Sequence, residues 1–323
     1  MADIGVVYLY RFAEGEPPVQ SFLDSYRAHP AGAKHDLHVV LKGFPDRDSL
    51  DSAAKLFTDL PVNFIEDDDT GYDVGSYFAA AKVATNRRLI FFNTFTELLA
   101  DDWLKKFDAA LNLPGVGIVS ATGSWQSLSS YYEVLIRLGW YEIERSCAVW
   151  FSKKGERSQA KGAWANDERP RPASLGRGLY LLLRFDKYLR NLYEYGRFPN
   201  PHVRTNAFMI ERELFLSLRV SPFREKIDAY KFESGRQSMT RQVMALGLRP
   251  VLVDRNGNAY EILEWKSSSI YWADNQANLI AADNRTRQYA SGSLDHRRRL
   301  EDYAWVQPSS WTLQVHRSRL IYD

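Results

Sequence analysis

At 323 residues, with 45% apolar and 25% charged side chains, the chain has the composition of a globular protein with room for one large domain or two modest ones. Its 42 basic and 40 acidic residues nearly cancel, to a net charge of +2, so the balance gives no electrostatic case for a nucleic-acid partner. The single cysteine, Cys147, excludes an intrachain disulfide, and its neighbours Ala148, Val149 and Trp150 suit a buried thiol better than a nucleophile.

The first residues run straight into a strand pattern, without a basic segment and apolar signal core, and no apolar run approaches the length of a membrane span. The expectation is a cytoplasmic protein. Gly5–Tyr10 reads as a buried strand and Pro17–Ala28 as the helix after it. Leu37–Leu41 is a second strand, and Ser49–Leu60 has helical spacing of Leu50, Ala53, Ala54, Phe57 and Leu60. Val62–Ile65 delivers the chain to an acidic turn, Asp67-Asp-Asp-Thr-Gly-Tyr-Asp73, whose last residue is placed to cap a helix. Leu89–Phe92 is an unbroken apolar run, as in a strand covered on both faces; a helix over Asp101–Leu111 and a strand over Val116–Val119 follow. This alternation predicts an α/β fold with a mostly parallel, Rossmann-related sheet covered by helices on both faces.

Beyond Gly123 the pattern changes. Residues 153–172 are polar and contain Gly155, Gly162, Pro170 and Pro172, a loop that could serve as a lid or be a plain surface excursion. Leu175–Tyr195 reads as a helix rich in Leu, Tyr and Arg. Such a helix can lie on a membrane or on a second copy of the chain, but plain core packing with basic stems snorkelling outward accounts for it better. Pro199–Asn206 is a proline-rich turn into a strand ending at Ile210, with a short helix over Glu211–Leu218. Phe232–Gly235 leads into a helix ending near Gly247; Arg249–Val253 is a last strand. From residue 266 the chain is rich in Asn, Asp, Gln and Arg and reads as a tail wrapping the body or reaching a partner, while its basic run His296–Arg299 is better read as a solvated helix face.

Several chemistries find no support. Gly71-X-X-X-Gly75 lacks the Gly-Lys-Ser/Thr of a phosphate loop. One Cys and six scattered His have no zinc-ligand spacing, and no Gly-X-Ser-X-Gly elbow is present.

The order of segments resembles the nucleotide-sugar glycosyltransferases of the GT-A fold, nearest to the inverting family 2 and rhamnosyltransferase-like branch. The resemblance rests on Phe92-Asn-Thr-Phe-Thr-Glu-Leu98 followed by Asp102-Trp-Leu104, on Asn206-Ala-Phe-Met-Ile-Glu-Arg-Glu-Leu-Phe215, and on Glu233-Ser-Gly-Arg236 with Arg241 and Gly247. It covers roughly residues 3–254. It implies a nucleotide-sugar donor, a glycan acceptor in surface polysaccharide assembly, and work at the inner face of a membrane. Residues 1–125 would be the donor half, 126–265 the acceptor half, and 266–323 a C-terminal extension.

In this likeness Glu233 is the general base, with Asp228 in reserve and His202 in a turn nearby. Arg204, Arg236 and Arg241 are the cations for the departing diphosphate; Trp125 and Asn206 are contacts to diphosphate or acceptor. Tyr10, Arg11, Asp69, Gly71, Asp73 and Gly75 form the donor rim, with Asn93 and Thr94 at the strand end. The family's Asp-X-Asp, which holds Mg²⁺ or Mn²⁺ on the donor, reads Asn93-Thr94-Phe95 here. Three readings stay open: a metal-independent enzyme, a metal held by Asp67 and Asp69, or a non-catalytic binding or scaffold protein.

Overall fold

The computed structural model describes residues 2–130 and 192–307. Cys147, the 153–172 loop, nearly all of the Leu175–Tyr195 segment and residues 308–323 lie outside the described residues. The chain divides into two compact units, Met1–Gln126 with Asn200–Val306, and Ser127–Pro199 with Gln307–Asp323. In the described part of the second unit, the Phe198 amide donates to Ser130 Oγ and Ser127 Oγ donates to the Gly196 carbonyl.

The first unit is built on an eight-stranded, mostly parallel sheet. Its strands are β1 (Ile4–Arg11), β2 (His35–Lys42), β3 (Val62–Asp67), β4 (Arg88–Phe92), β6 (Val116–Ser120), β9 (Phe208–Glu211), β10 (Arg249–Val253) and β11 (Ala259–Tyr260). They lie in the order β11-β10-β6-β9-β4-β1-β2-β3. β3, β2, β1 and β4 are parallel, as are β6 and β10; β9 runs antiparallel between β4 and β6, and β11 closes a hairpin with β10. Short β5 (Glu97–Leu98) pairs with β12 (Ala281–Ala282), and β7 (Gly123–Ser124) with β8 (His202–Val203).

Helices cover both faces. Successive strand residues point to opposite sides, so the adjacent rings of Phe91 and Phe92 serve two different cores. Phe92 meets Trp103 of α4 (Trp103–Leu111) at 5.4 Å between ring centroids, on the side where Tyr8 stacks on Phe22 of α1 (Pro17–Ala28) at 3.7 Å. Phe91 faces Tyr77 of α3 (Tyr72–Val83) at 5.0 Å and Phe215 of α5 (Arg212–Ser217) at 4.8 Å. Burial on both sides explains why β4 is apolar throughout.

The local signals behave as their chemistry requires. α1 starts with proline in its first turn and buries Val19, Phe22 and Leu23 at helical spacing, the limits read from sequence. α2 spans Arg47–Lys55, capped by the Asp46 carboxylate, which accepts the Ser49 amide at 2.8 Å; it stops short of Leu60 and turns follow. α3 is a correction. Its N-cap is Gly71, at φ 71°, and Asp73 sits inside the first turn without a side-chain cap. A Cβ on Gly71 would stand 3.1 Å from Gly75 Cα, so this entry to the helix favours glycine on two counts.

The helix expected to begin near Glu233 is two helices. The first, α6 (Lys226–Ser234), opens with a reciprocal capping box between Glu225 and Asp228, and Glu233 lies in its last turn. The second, α7 (Met239–Ala245), is capped by Ser238. Residues 266–306 belong to the first unit. Ile280 and Ala281 join the main core, and α8 (Asn284–Ala290) and α9 (Leu294–Trp305) follow. Trp305 Nε1 donates to the Tyr271 carbonyl at 2.9 Å. The basic run lies on α9, where Leu300 is buried and Arg297 donates to the Gly292 carbonyl and to Asn275. Among the described residues no helix is long and apolar enough to cross a membrane.

Candidate active site

A cavity of about 1060 Å³ opens at the carboxyl ends of the parallel strands, where α/β sheets bind their ligands. β1 contributes Arg11, β2 Lys42, and the β3–α3 turn Asp69 to Asp73; β4 delivers Asn93, Thr94 and Phe95. The opposite wall comes from Arg204–Asn206 before β9, from the cavity face of α6, and from Asn284 and Arg285 at the start of α8.

The acidic turn is held from beneath by Lys42, whose side chain is only 1% exposed. Its ammonium donates to the carbonyls of Thr70 and Tyr72 and to Ser76 Oγ (2.8 Å), and lies 3.6 Å from Asp67. Gly43 makes the approach possible. At φ 72° it donates its amide to the Asp67 carbonyl, and any Cβ there would stand 2.8 Å from Asp69 Cβ.

Arg11 and Asp69 form a bidentate pair across the rim, both bonds 2.7 Å, and Arg11 also donates to Glu14. The Arg11 hydrogen bonds hold the Asp69 carboxyl below its ordinary range, and Asp69 raises the guanidinium in return. Asp73 lines the cavity, half-buried, and no hydrogen bond engages its carboxylate among the described residues. Burial lifts it above its ordinary 3.8, opposed by Lys42 and Arg11 and reinforced by Glu14 and Glu233.

Linkage fixes what that shift does to stability. Between 3.8 and its raised folded value the folded state holds more proton than the unfolded one, so this group's contribution is present at low pH and lost as pH rises. Asp73→Asn is therefore expected to raise the melting temperature at pH 7, with the gain shrinking as pH falls toward 3.8. A lower melting temperature at pH 7 would show instead that the ionised carboxylate stabilises the fold through Lys42 and Arg11.

Glu233 reaches the cavity from the last turn of α6. Its Oε2 accepts both the Thr205 amide (2.9 Å) and Thr205 Oγ1 (2.7 Å), which fixes the carboxylate, and Oε1 carries no hydrogen bond among the described residues. Asn206 Oδ1 accepts the Asn93 amide at 2.9 Å and lies 2.8 Å from Thr96 Oγ1, tying the end of β4 to β9. Thr94 is fixed by its carbonyl, which accepts Tyr8 Oη at 2.9 Å. Arg204, 14% exposed, donates to Asp283 at 3.1 Å and stacks over Tyr271 at 4.9 Å. Burial opposes its charge, yet Tyr271, Asp283 and Glu233 together raise the guanidinium above its ordinary value.

The cavity thus gathers Arg11, Asp69, Gly71, Asp73, Asn93, Thr94, Arg204, Asn206 and Glu233 from the sequence reading. The other candidates lie elsewhere. Asp228 does not line the cavity, because its carboxylate accepts the Arg224 and Glu225 amides as a cap. His202 is buried in β8 with Nδ1 against the Asn200 carbonyl; burial holds its pKa below the ordinary 6.5, so it is a neutral interior group. Trp125 packs edge-on against Trp305 and donates to the Ile262 carbonyl, Arg241 is spent on Asn200 Oδ1, and Tyr10 is buried against Phe44. Arg236 is exposed outside the cavity, and Gly75 is part of the α3 backbone behind it.

Sequence reasoning missed Lys42, Thr205, Arg224, Lys226 and Arg285. The only signal for Lys42 was its place directly after the strand Leu37–Leu41 and before Gly43; nothing in the sequence singles out the others.

At the positions that the resemblance and the acidic turn offered for a metal, the side chains do not fit a hard divalent cation. Such an ion takes oxygen ligands, with at least one or two protein carboxylates beside waters and substrate phosphates. Phe95 offers none, and Asn93 Oδ1 is turned back onto the Phe95 amide at 3.0 Å. Asp67 accepts Ser76 Oγ at 2.6 Å beside Lys42, and Asp69 is taken by Arg11, so the pair expected as alternative ligands faces cations. Among the described residues no group of three His, Cys, Asp or Glu is placed to hold a metal.

No family model matches the chain, and no curated protein matches it. Among solved structures it is similar to S. aureus TarS 1-349 in complex with UDP-GlcNAc, at 15% identity and TM-score 0.30, covering 37% of this chain and 34% of that one. It is also similar to the mannosyltransferase PcManGT from Pyrobaculum calidifontis in complex with GDP-Man and Mn²⁺, at 13% identity and TM-score 0.42, covering 83% and 60%. A third is the glycosyltransferase GlyE of Streptococcus pneumoniae TIGR4, at 13% identity and TM-score 0.28, covering 37% and 30%. The chain thus spans about a third of TarS 1-349 and GlyE and 60% of PcManGT. Likeness at this level assigns no activity.

Proposed function

We propose that the chain is a GT-A-type glycosyltransferase that moves a sugar from a nucleotide-sugar donor to a glycan hydroxyl, with inversion. The observation that carries the reading is Glu233: a carboxylate clamped through one oxygen by Thr205, with its other oxygen unbonded among the described residues, in a cation-rich cavity at the strand ends. In this reading Glu233 takes the proton of the acceptor hydroxyl as its oxygen attacks the anomeric carbon. The bond from that carbon to the diphosphate breaks, and the electron pair leaves with the diphosphate. Residues 1–125 carry the donor side and Glu233 the acceptor side. Surface polysaccharide assembly at the cytoplasmic face of a membrane is the setting that the family resemblance implies.

A melting-temperature panel with UDP-, GDP-, dTDP- and CMP-sugars, followed by transfer assays with the class that binds, tests the proposal. A donor at one hundred times its Kd stabilises the fold by about 2.7 kcal/mol, so one nucleotide class is expected to shift the transition clearly. No shift with any class would overturn it. A shift without transfer would favour the scaffold reading, which the missing Asp-X-Asp keeps in play.

A further inference from the structure

Building on the nucleotide-sugar reading, we infer that the leaving diphosphate is held without a divalent cation, in an anion subsite made of Arg224, Lys226 and Arg285. The inference follows from which charges in the cavity already have partners. Six basic side chains line it, against the acidic Glu14, Asp69, Asp73 and Glu233. Arg11 is shared between Asp69 and Glu14, Arg204 is bonded to Asp283, and Lys42 spends its ammonium on the turn above it. Three cations remain, and none of them has a carboxylate partner among the described residues. Lys226 lies over the Tyr230 ring at 5.7 Å, Arg285 reaches only Gln288 at 3.4 Å, and Arg224 makes no side-chain hydrogen bond among the described residues.

Their placement suits the reaction. Lys226, Ala229, Tyr230 and Glu233 all line the cavity and recur at helical spacing, so one face of α6 presents a cation and the base together. Seven residues of helix set them about 10 Å apart along its axis, a span that leaves room for the sugar between leaving phosphate and attacking hydroxyl. Arg224 stands just before that helix, and Arg285 enters from α8. Two guanidinium groups and an ammonium supply the positive charge that a departing diphosphate requires, and the guanidinium fork pairs bidentately with phosphate oxygens. The place where the family puts a metal is lined here by Asn93 and Phe95, which do not hold one.

Calorimetry on the full chain with inorganic pyrophosphate, UDP, GDP and dTDP, in EDTA and then in Mn²⁺, tests the subsite. Pyrophosphate and one nucleoside diphosphate are expected to bind in EDTA. Arg224→Gln, Lys226→Gln and Arg285→Gln should each weaken binding about tenfold, and the triple variant about 10²–10³-fold. Lys55→Gln with Lys105→Gln, exposed and outside the cavity, should leave affinity unchanged. The three side chains hold no ion pair among the described residues, so the variants should melt with the parent; should the triple variant unfold, the single ones carry the test. Binding only in Mn²⁺, or a triple variant that binds like the parent, would overturn the subsite and leave the glycosyltransferase reading standing. Pyrophosphate binding lost in the triple variant, with no nucleoside diphosphate bound more tightly than pyrophosphate, would uphold the subsite and remove the nucleotide-sugar reading. Failure of every probe to bind would overturn the subsite.

Discussion

Glu233→Gln is expected to lower kcat by about 10²–10⁴-fold while leaving donor affinity and melting temperature close to those of the parent. The substitution keeps the shape of the side chain, and the amide oxygen can still accept from the Thr205 amide and hydroxyl that hold Oε2 now. Only the capacity to take a proton is lost. A loss confined to kcat identifies a group acting in the transition state, whereas a rise in KM alone would mark a ground-state contact. An unchanged kcat would remove Glu233 as the base and direct attention to Asp73, a carboxylate that lines the same cavity without a hydrogen bond among the described residues. Asp228 is no substitute, since its carboxylate closes the capping box of α6.

Lys42→Met should cost about 3–5 kcal/mol of stability, the range for removing one partner from a buried charged network. Methionine nearly fills the volume of the lysine stem, so the loss is polar. It removes the Lys42 donor from the Thr70 carbonyl and leaves Asp67 without its nearest cation, while the Tyr72 carbonyl keeps Ser76 Oγ at 3.3 Å. The turn that these bonds hold supplies Asp69 and Asp73 to the cavity, so donor affinity should fall together with stability. Urea unfolding with an unchanged m-value, read beside nucleotide calorimetry, separates the two effects. A stability loss below about 1 kcal/mol would place Lys42 among the weakly coupled surface cations.

The positions of the strands were legible, with ends off by up to two residues, and so were the limits of the first helix. Pro17–Ala28 has the expected bounds because Pro17, the periodic apolar residues and Pro30 just beyond the helix each act locally. Errors appeared where two local signals compete. Asp73 is a good capping residue, but Gly71 in the left-handed region already starts the helix, and Asp73 is left inside the first turn facing the cavity. Glu233 was expected to begin a helix, whereas Glu225 and Asp228 start one earlier and Ser238 starts the next. That shift moves Glu233 from the start of a helix to the end of one, where Thr205 holds it.

The sequence by itself determined the class of the fold. Apolar runs such as Leu89–Phe92 are tolerated only where both faces of a strand are covered, and their alternation with helices dictates a mostly parallel sheet. It also placed Asn93 and Phe95 where the family it resembles would carry carboxylates. Only the tertiary structure decided which charges remain for a ligand. Arg11, Arg204, Arg224, Lys226 and Arg285 are five basic residues, and the resemblance singles out only the first two. Folding sets the first against Asp69 and the second against Asp283, and leaves the other three at the cavity without an acidic partner among the described residues. Coulomb interactions act through space, over a Debye length of about 8 Å, and have no regard for separation along the chain.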